Sequence, residues 1–63
     1  MNRKDLERIV ASLNDEHGRG GQTELARRTG WDHSTVWRKL NGKLKISRAD
    51  ALLIRDAVPE WEG

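Results

Sequence analysis

The sequence predicts an all-α fold, a compact four-helix domain with room for at most one further turn near Trp61. Three observations carry this prediction. Apolar residues recur at helical spacing in separate short stretches, and no convincing run alternates with a period of two, so no sheet is expected. Asn2, Asp32 and Ser47 stand where a helix needs a capping side chain. Glycine or proline punctuates the gaps, at Gly18 to Gly21, Gly30, Gly42 and Pro59. The 63 residues read as one domain, 1–63, with a small core, because a chain this short buries only about 60% of its unfolded surface.

The first helix is expected over residues 2–16. Asn2 is its N-cap, with Asp5 at the third helical position in a capping-box arrangement. Leu6, Ile9, Val10 and Leu13 share one face, and the mixed charges of Arg3, Lys4, Glu7 and Arg8 fall largely off it, as in a core-facing helix. His17-Gly18-Arg19-Gly20-Gly21 then breaks the pattern and reads as a flexible link. It lacks the Gly-Lys-Ser/Thr of a phosphate-cradling loop and follows no strand. The second helix spans 22–29, with Leu25 and Ala26 facing inward and Glu24 at the positive end of its dipole. Gly30 stops it by taking the left-handed conformation, and Trp31 follows as an apolar plug.

The third helix is expected over 33–41, capped by Asp32, with Ser34 as a competing cap. Val36 and Leu40 share its inner face, and Asn41-Gly42 ends it. Leu44 and Ile46 are expected to tuck into the core from the connection that follows. The fourth helix spans 47–57, opened by Ser47 with Asp50 three residues on, and closed by Pro59. Its apolar residues Leu52, Leu53, Ile54 and Ala57 cover more than one face, so some can serve a second contact.

Composition narrows the function. With no Cys there is no disulfide, thiol nucleophile or Cys-based zinc site, and His17 and His33 are too few and too far apart to suggest a metal site. No apolar run approaches the roughly 18 residues of a membrane span. The charged start MNRKDLERIV lacks the apolar region of a signal peptide, so a cytoplasmic, nucleoid-associated location is expected. The net charge of +2 is modest, but its distribution is uneven. Between Arg27 and Arg48 seven basic residues face one acid, Asp32, while the rest of the chain holds five basic and nine acidic residues. An asymmetry of this size points to one face built for a polyanion.

The stretch Gln22–Leu40 gives that face a shape. Two helices that cross through a tight turn must approach closely at one point, which suits the small Ala26. The turn four residues later needs a positive φ, which suits Gly30. Val36 and Leu40 then pin the second helix inward and leave its opposite face free. This spacing, carried by Gln22, Leu25, Ala26, Gly30, Val36, Leu40 and the Asn41-Gly42 exit, resembles the helix-turn-helix of the phage lambda repressor and Cro family.

The resemblance implies a lambda-repressor-like, sequence-specific regulator of transcription, a Cro-like repressor that reads the major groove of double-stranded DNA with helix 33–41. It implies base contacts from His33, Ser34, Thr35 and Arg38, for which the side-chain chemistry is suitable. Trp37 departs from the usual small or polar residue. If exposed it packs on a thymine methyl or deoxyribose, and if buried it belongs to the core or a dimer contact. Asp32 serves as a cap or accepts from cytosine N4. Gln22 matches the position that grips a phosphate. Thr23, Arg19, Arg27, Arg28, Lys39, Asn41, Lys43 and Lys45 are the other candidates for the backbone. One such domain reads few base pairs, so a homodimer on a pseudo-palindromic operator is expected. No cofactor is expected.

A second reading, from a different class, is an antitoxin-like or adaptor module that reuses the fold for protein binding, favoured by the acidic tail around Trp61. An enzyme is not expected. Asp32, His33 and Ser34 are triad-like on paper, but consecutive residues at a helix start do not face one another.

Overall fold

The computed structural model describes residues 1–61, in which four helices and no strand are present. They are α1 (Arg3–Leu13), α2 (Gly21–Thr29), α3 (His33–Leu40) and α4 (Arg48–Ala57). The fold is all-α, and α2 is its centre, packing against each of the other three helices. The core is one cluster: Leu6, Ile9 and Val10 from α1, Leu25 and Ala26 from α2, Val36 from α3, Ile54 from α4, and Val58 just beyond it.

The caps form as their residue types require. Asn2 accepts from the Asp5 amide while Asp5 accepts from the Asn2 amide, and Ser47 and Asp50 repeat this reciprocal pattern at α4. Asp32 Oδ1 accepts from the Thr35 amide at 2.8 Å, which settles the start of α3 in favour of Asp32 over Ser34. Gly30 closes α2 at φ 78°, and its N–H donates to the Ala26 carbonyl at 2.9 Å.

Several expectations are corrected. α1 ends at Leu13 rather than residue 16, because Asn14 turns extended and its side chain accepts from the Gly21 amide at 2.8 Å. The glycine-rich segment is a closed turn rather than a loose link. The Asp15 carboxylate accepts from the His17 and Arg19 amides, and the Asp15 amide donates to the Arg19 carbonyl at 2.7 Å. Gly21 belongs to α2 and is buried. A Cβ there would collide with the Val10 carbonyl oxygen and Asn14 Oδ1, so this glycine is the close-approach point of α1 and α2. Leu44 stays exposed, whereas Ile46 packs against the core.

The tail folds back. Trp61 packs against the core and Glu60 pairs with Arg28 at 2.9 Å. The last two residues, Glu62 and Gly63, lie outside the described part of the chain. No described helix is long and apolar enough to cross a membrane.

Candidate nucleic-acid interface

The helical repeat divides α3 into two faces. Val36 and Lys39 are buried and Leu40 is half-buried. His33, Ser34, Trp37 and Arg38 are exposed, and Asn41 continues their stripe past the helix end. These residues lie one and four apart, so they form one continuous outward strip. Trp37 is 46% exposed, which resolves its two alternatives in favour of the surface. A large apolar ring on an outward polar strip can contact a flat apolar or sugar surface, and its neighbours supply hydrogen-bond donors.

The strip adjoins the N-terminus of α2. A groove of about 400 Å³ is lined by Arg19, Gln22, Thr23, His33 and Trp37 over a floor of glycine backbone. The Gln22 carboxamide oxygen is buried without a hydrogen-bond partner, which leaves its NH2 end as the donor for an incoming acceptor. The Gln22 and Thr23 amides of α2 sit at the same mouth, where the helix dipole favours an anion, while the Gly21 amide is taken by Asn14. Residues predicted separately as backbone-binding and base-reading are thus brought to one cleft.

Other candidates are drawn inward. Lys39 is only 8% exposed. Its Nζ donates to Asp50 Oδ2 at 2.7 Å and to the Lys45 carbonyl at 3.1 Å, and it lies 5.1 Å from the centre of the Trp31 ring. It ties α3 to α4, and the expectation of an exposed phosphate contact is corrected. The Asp50 carboxyl is held below its ordinary range. Burial pushes it up, but the Lys39 ammonium and the Ser47 amide and hydroxyl outweigh that push.

Arg28 is corrected in the same way. Its guanidinium donates to Glu24 Oε2 at 2.8 Å, the Ala57 carbonyl at 3.0 Å and Glu60 Oε1 at 2.9 Å, so it locks the tail to α2. Arg27 is exposed but shares Glu24, at 2.6 Å. The Asn41 side chain donates to the Trp37 carbonyl at 2.8 Å and closes its own helix, so its amide is already engaged. Thr35 is half-buried, and its hydroxyl and amide serve Asp32. Of the candidates for base contact, the side chains that stay exposed are therefore His33, Ser34, Trp37 and Arg38.

Asp32 is less awkward beside a polyanion than its charge implies. Its carboxyl is held low chiefly by the Thr35 hydroxyl and amide, which outweigh the upward push of burial, and the Ser34 hydroxyl and the Arg38 charge add lesser downward pulls. Its hydrogen bonds thus turn toward α3 itself.

Lys43 and Lys45 remain exposed on the α3–α4 connection. Arg3, which the sequence did not mark, lies against Gly42 and brings a cation to this end of the strip, loosely paired with Glu7 at 3.9 Å. Its contact is nonlocal, and no local pattern in the sequence signals it.

The Glu24 carboxyl is lowered from 4.5 to about 2, first by its hydrogen bond to Arg27 and then by that to Arg28. A depressed carboxylate contributes stability that is present above its unfolded pKa and is lost as pH falls through its folded pKa. The protein should therefore lose stability as pH falls from 4.5 toward about 2, and Glu24→Gln should flatten that decline. Thermal melts across this range, with equal acid slopes for the two proteins as the contrary result, check it. Comparison with known protein families, with curated proteins and with solved structures finds no match to this chain.

Proposed function

We propose that this chain is a sequence-specific double-stranded DNA-binding protein, a transcriptional regulator of the lambda repressor and Cro type. The observation that carries this reading is the outward strip of α3 set beside the open N-terminus of α2. In the proposed complex, α3 enters the major groove. His33 and Ser34 meet base edges at its leading end, and Arg38 reaches guanine O6 and N7 one turn on. Trp37 packs on a thymine methyl or a deoxyribose. Arg19, and Gln22 and Thr23 through their side chains and amides, hold a phosphate, and Lys43, Lys45 and Arg3 hold others. Arg27 keeps a supporting role, since Glu24 offsets much of its charge.

Two copies on a pseudo-palindrome, with half-sites about one helical turn apart, supply the specificity that one domain lacks. The protein-interaction alternative drew on the tail, and there Glu60 and Trp61 are engaged within the fold. That favours the DNA reading.

Selection of bound sites from a random duplex pool tests the reading, because it returns sequence, symmetry and spacing together. A symmetric site is expected, and a pool with no enriched sequence contradicts specific recognition. Arg38→Ala should cost about 1–3 kcal/mol on the selected site and relax preference at one base pair. Lys43→Ala should weaken all sequences alike. Binding isotherms on selected and random duplexes compare the two variants, and equal losses for Arg38→Ala on both duplexes would move Arg38 to the backbone class.

A further inference from the structure

We propose that the exposed face of α4 is a self-association surface whose occupant is α4 of a second copy, packed antiparallel about a two-fold axis at Leu52. The proposal rests on the dimeric DNA-binding reading above and gives that dimer its contact.

Leu52 is 58% exposed, the most open large apolar side chain among the described residues. It lies two positions from Ile54, which is fully buried, so it sits nearly opposite the core around the helix. Among the helices, the backbone of α4 comes close only to α2. Leu53 is exposed on the flank of the open face, and Ala49 beside Leu52 is small enough to let another helix approach closely.

Charge selects the occupant and its direction. Arg48, Leu52 and Asp56 follow one another at intervals of four and form one exposed stripe. Neither Arg48 nor Asp56 takes part in an ion pair among the described residues. Both charges also oppose their own helix dipole, since Arg48 is the first residue of α4 and Asp56 lies in its last turn. An antiparallel second copy corrects both at once. Residues equally distant from Leu52 face each other across the axis, so Arg48 meets Asp56 of the second copy and Asp56 meets its Arg48. Each charge then sits at the end of the opposing helix whose dipole favours it. Arg55 faces Ala49 of the second copy, so like charges are not opposed.

One helix pair is a small interface. The free protein should therefore associate weakly, and two adjacent half-sites should raise the effective concentration enough to pair the copies on DNA.

The chain has no Cys, so Leu52→Cys introduces a single thiol at the proposed axis. Under mild oxidation at high protein concentration, without DNA, it should form a disulfide-linked dimer much faster than Ala11→Cys, a thiol on the exposed face of α1. Arg48→Asp should weaken self-association by about fivefold, and Arg48→Asp with Asp56→Arg should restore it. Sedimentation reads both, and circular dichroism verifies that each variant is folded. Equal cross-linking of the two thiols, or no recovery in the folded double variant, overturns the proposal. Half-site duplex binding, measured separately on the monomer, keeps the two readings distinguishable. Normal half-site binding with no Leu52→Cys dimer overturns the surface alone. A Leu52→Cys dimer without duplex binding supports the surface while the DNA reading fails.

Discussion

Gly21→Ala should destabilise the protein by roughly 2 kcal/mol, although the same change in an exposed helix interior gains about 1 kcal/mol. The sign is reversed because the new methyl has no room. It meets the Val10 carbonyl oxygen, which is backbone within α1, and the Asn14 side chain that accepts from the Gly21 amide. Relief requires α1 and α2 to separate at their closest point, which also loosens the packing of Val10 and Leu25. At about 4–8 °C per kcal/mol for a domain of this size, the melting temperature should fall by roughly 10 °C. Gly20→Ala is the informative comparison, since a Cβ there meets nothing but the residue holds φ 92°. Its cost should come from backbone strain alone, about 1 kcal/mol. Thermal melts of both variants check this, and a Gly21→Ala protein as stable as the parent would contradict the close approach.

Lys39→Ala should cost about 2–3 kcal/mol, at or below the lower edge of the range for breaking a buried ion pair, because Asp50 retains some contact with water. The substitution removes the donor to Asp50 and to the Lys45 carbonyl and the cation over Trp31. It also removes the aliphatic stem that packs beneath them. Lys39→Met keeps most of that stem and should lose less. The functional contrast is sharper than the stability effect. Folded Lys39→Met should show the parent's salt dependence on DNA, whereas Lys43→Ala should reduce the slope of log K against log salt by about one. Denaturant melts and salt titrations measure the two effects, and a reduced slope for Lys39→Met would return Lys39 to the DNA face.

Local chemistry was legible in the sequence. Asn2, Asp32 and Ser47 cap helices through partners three residues away, and Gly30 takes its positive φ within its own turn. The apolar periodicity located Leu6, Ile9, Val10, Leu25 and Val36 in the core, whereas it did not separate buried Ile54 from exposed Leu52 and Leu53 on α4. What escaped was set by distant partners. Lys39 stands in a basic run and reads as a surface charge until Asp50, on another helix, and Trp31 close around it. Its position three residues after Val36, on the inner face, was the available signal. Arg28 is claimed by the tail, through Ala57 and Glu60. Gly21 looks like its neighbours Gly18 and Gly20, and only the approach of Val10 distinguishes it. At the candidate site, the outward strip followed from spacing, while the loss of Thr35 from it needed that residue's burial and its bonds to Asp32.

The proposed complex holds DNA between the outward face of α3 and the N-terminus of α2. The most direct measurement is a titration of isotopically labelled protein with its selected duplex at low salt, following each backbone amide and the Trp37 indole by NMR. The largest shifts should fall on Gln22, Thr23, His33, Ser34, Trp37 and Arg38. Smaller ones should follow at Lys43 and Lys45, and little change is expected at buried Lys39. A duplex that leaves the α3 strip unshifted, or shifts that gather on another face, would contradict it.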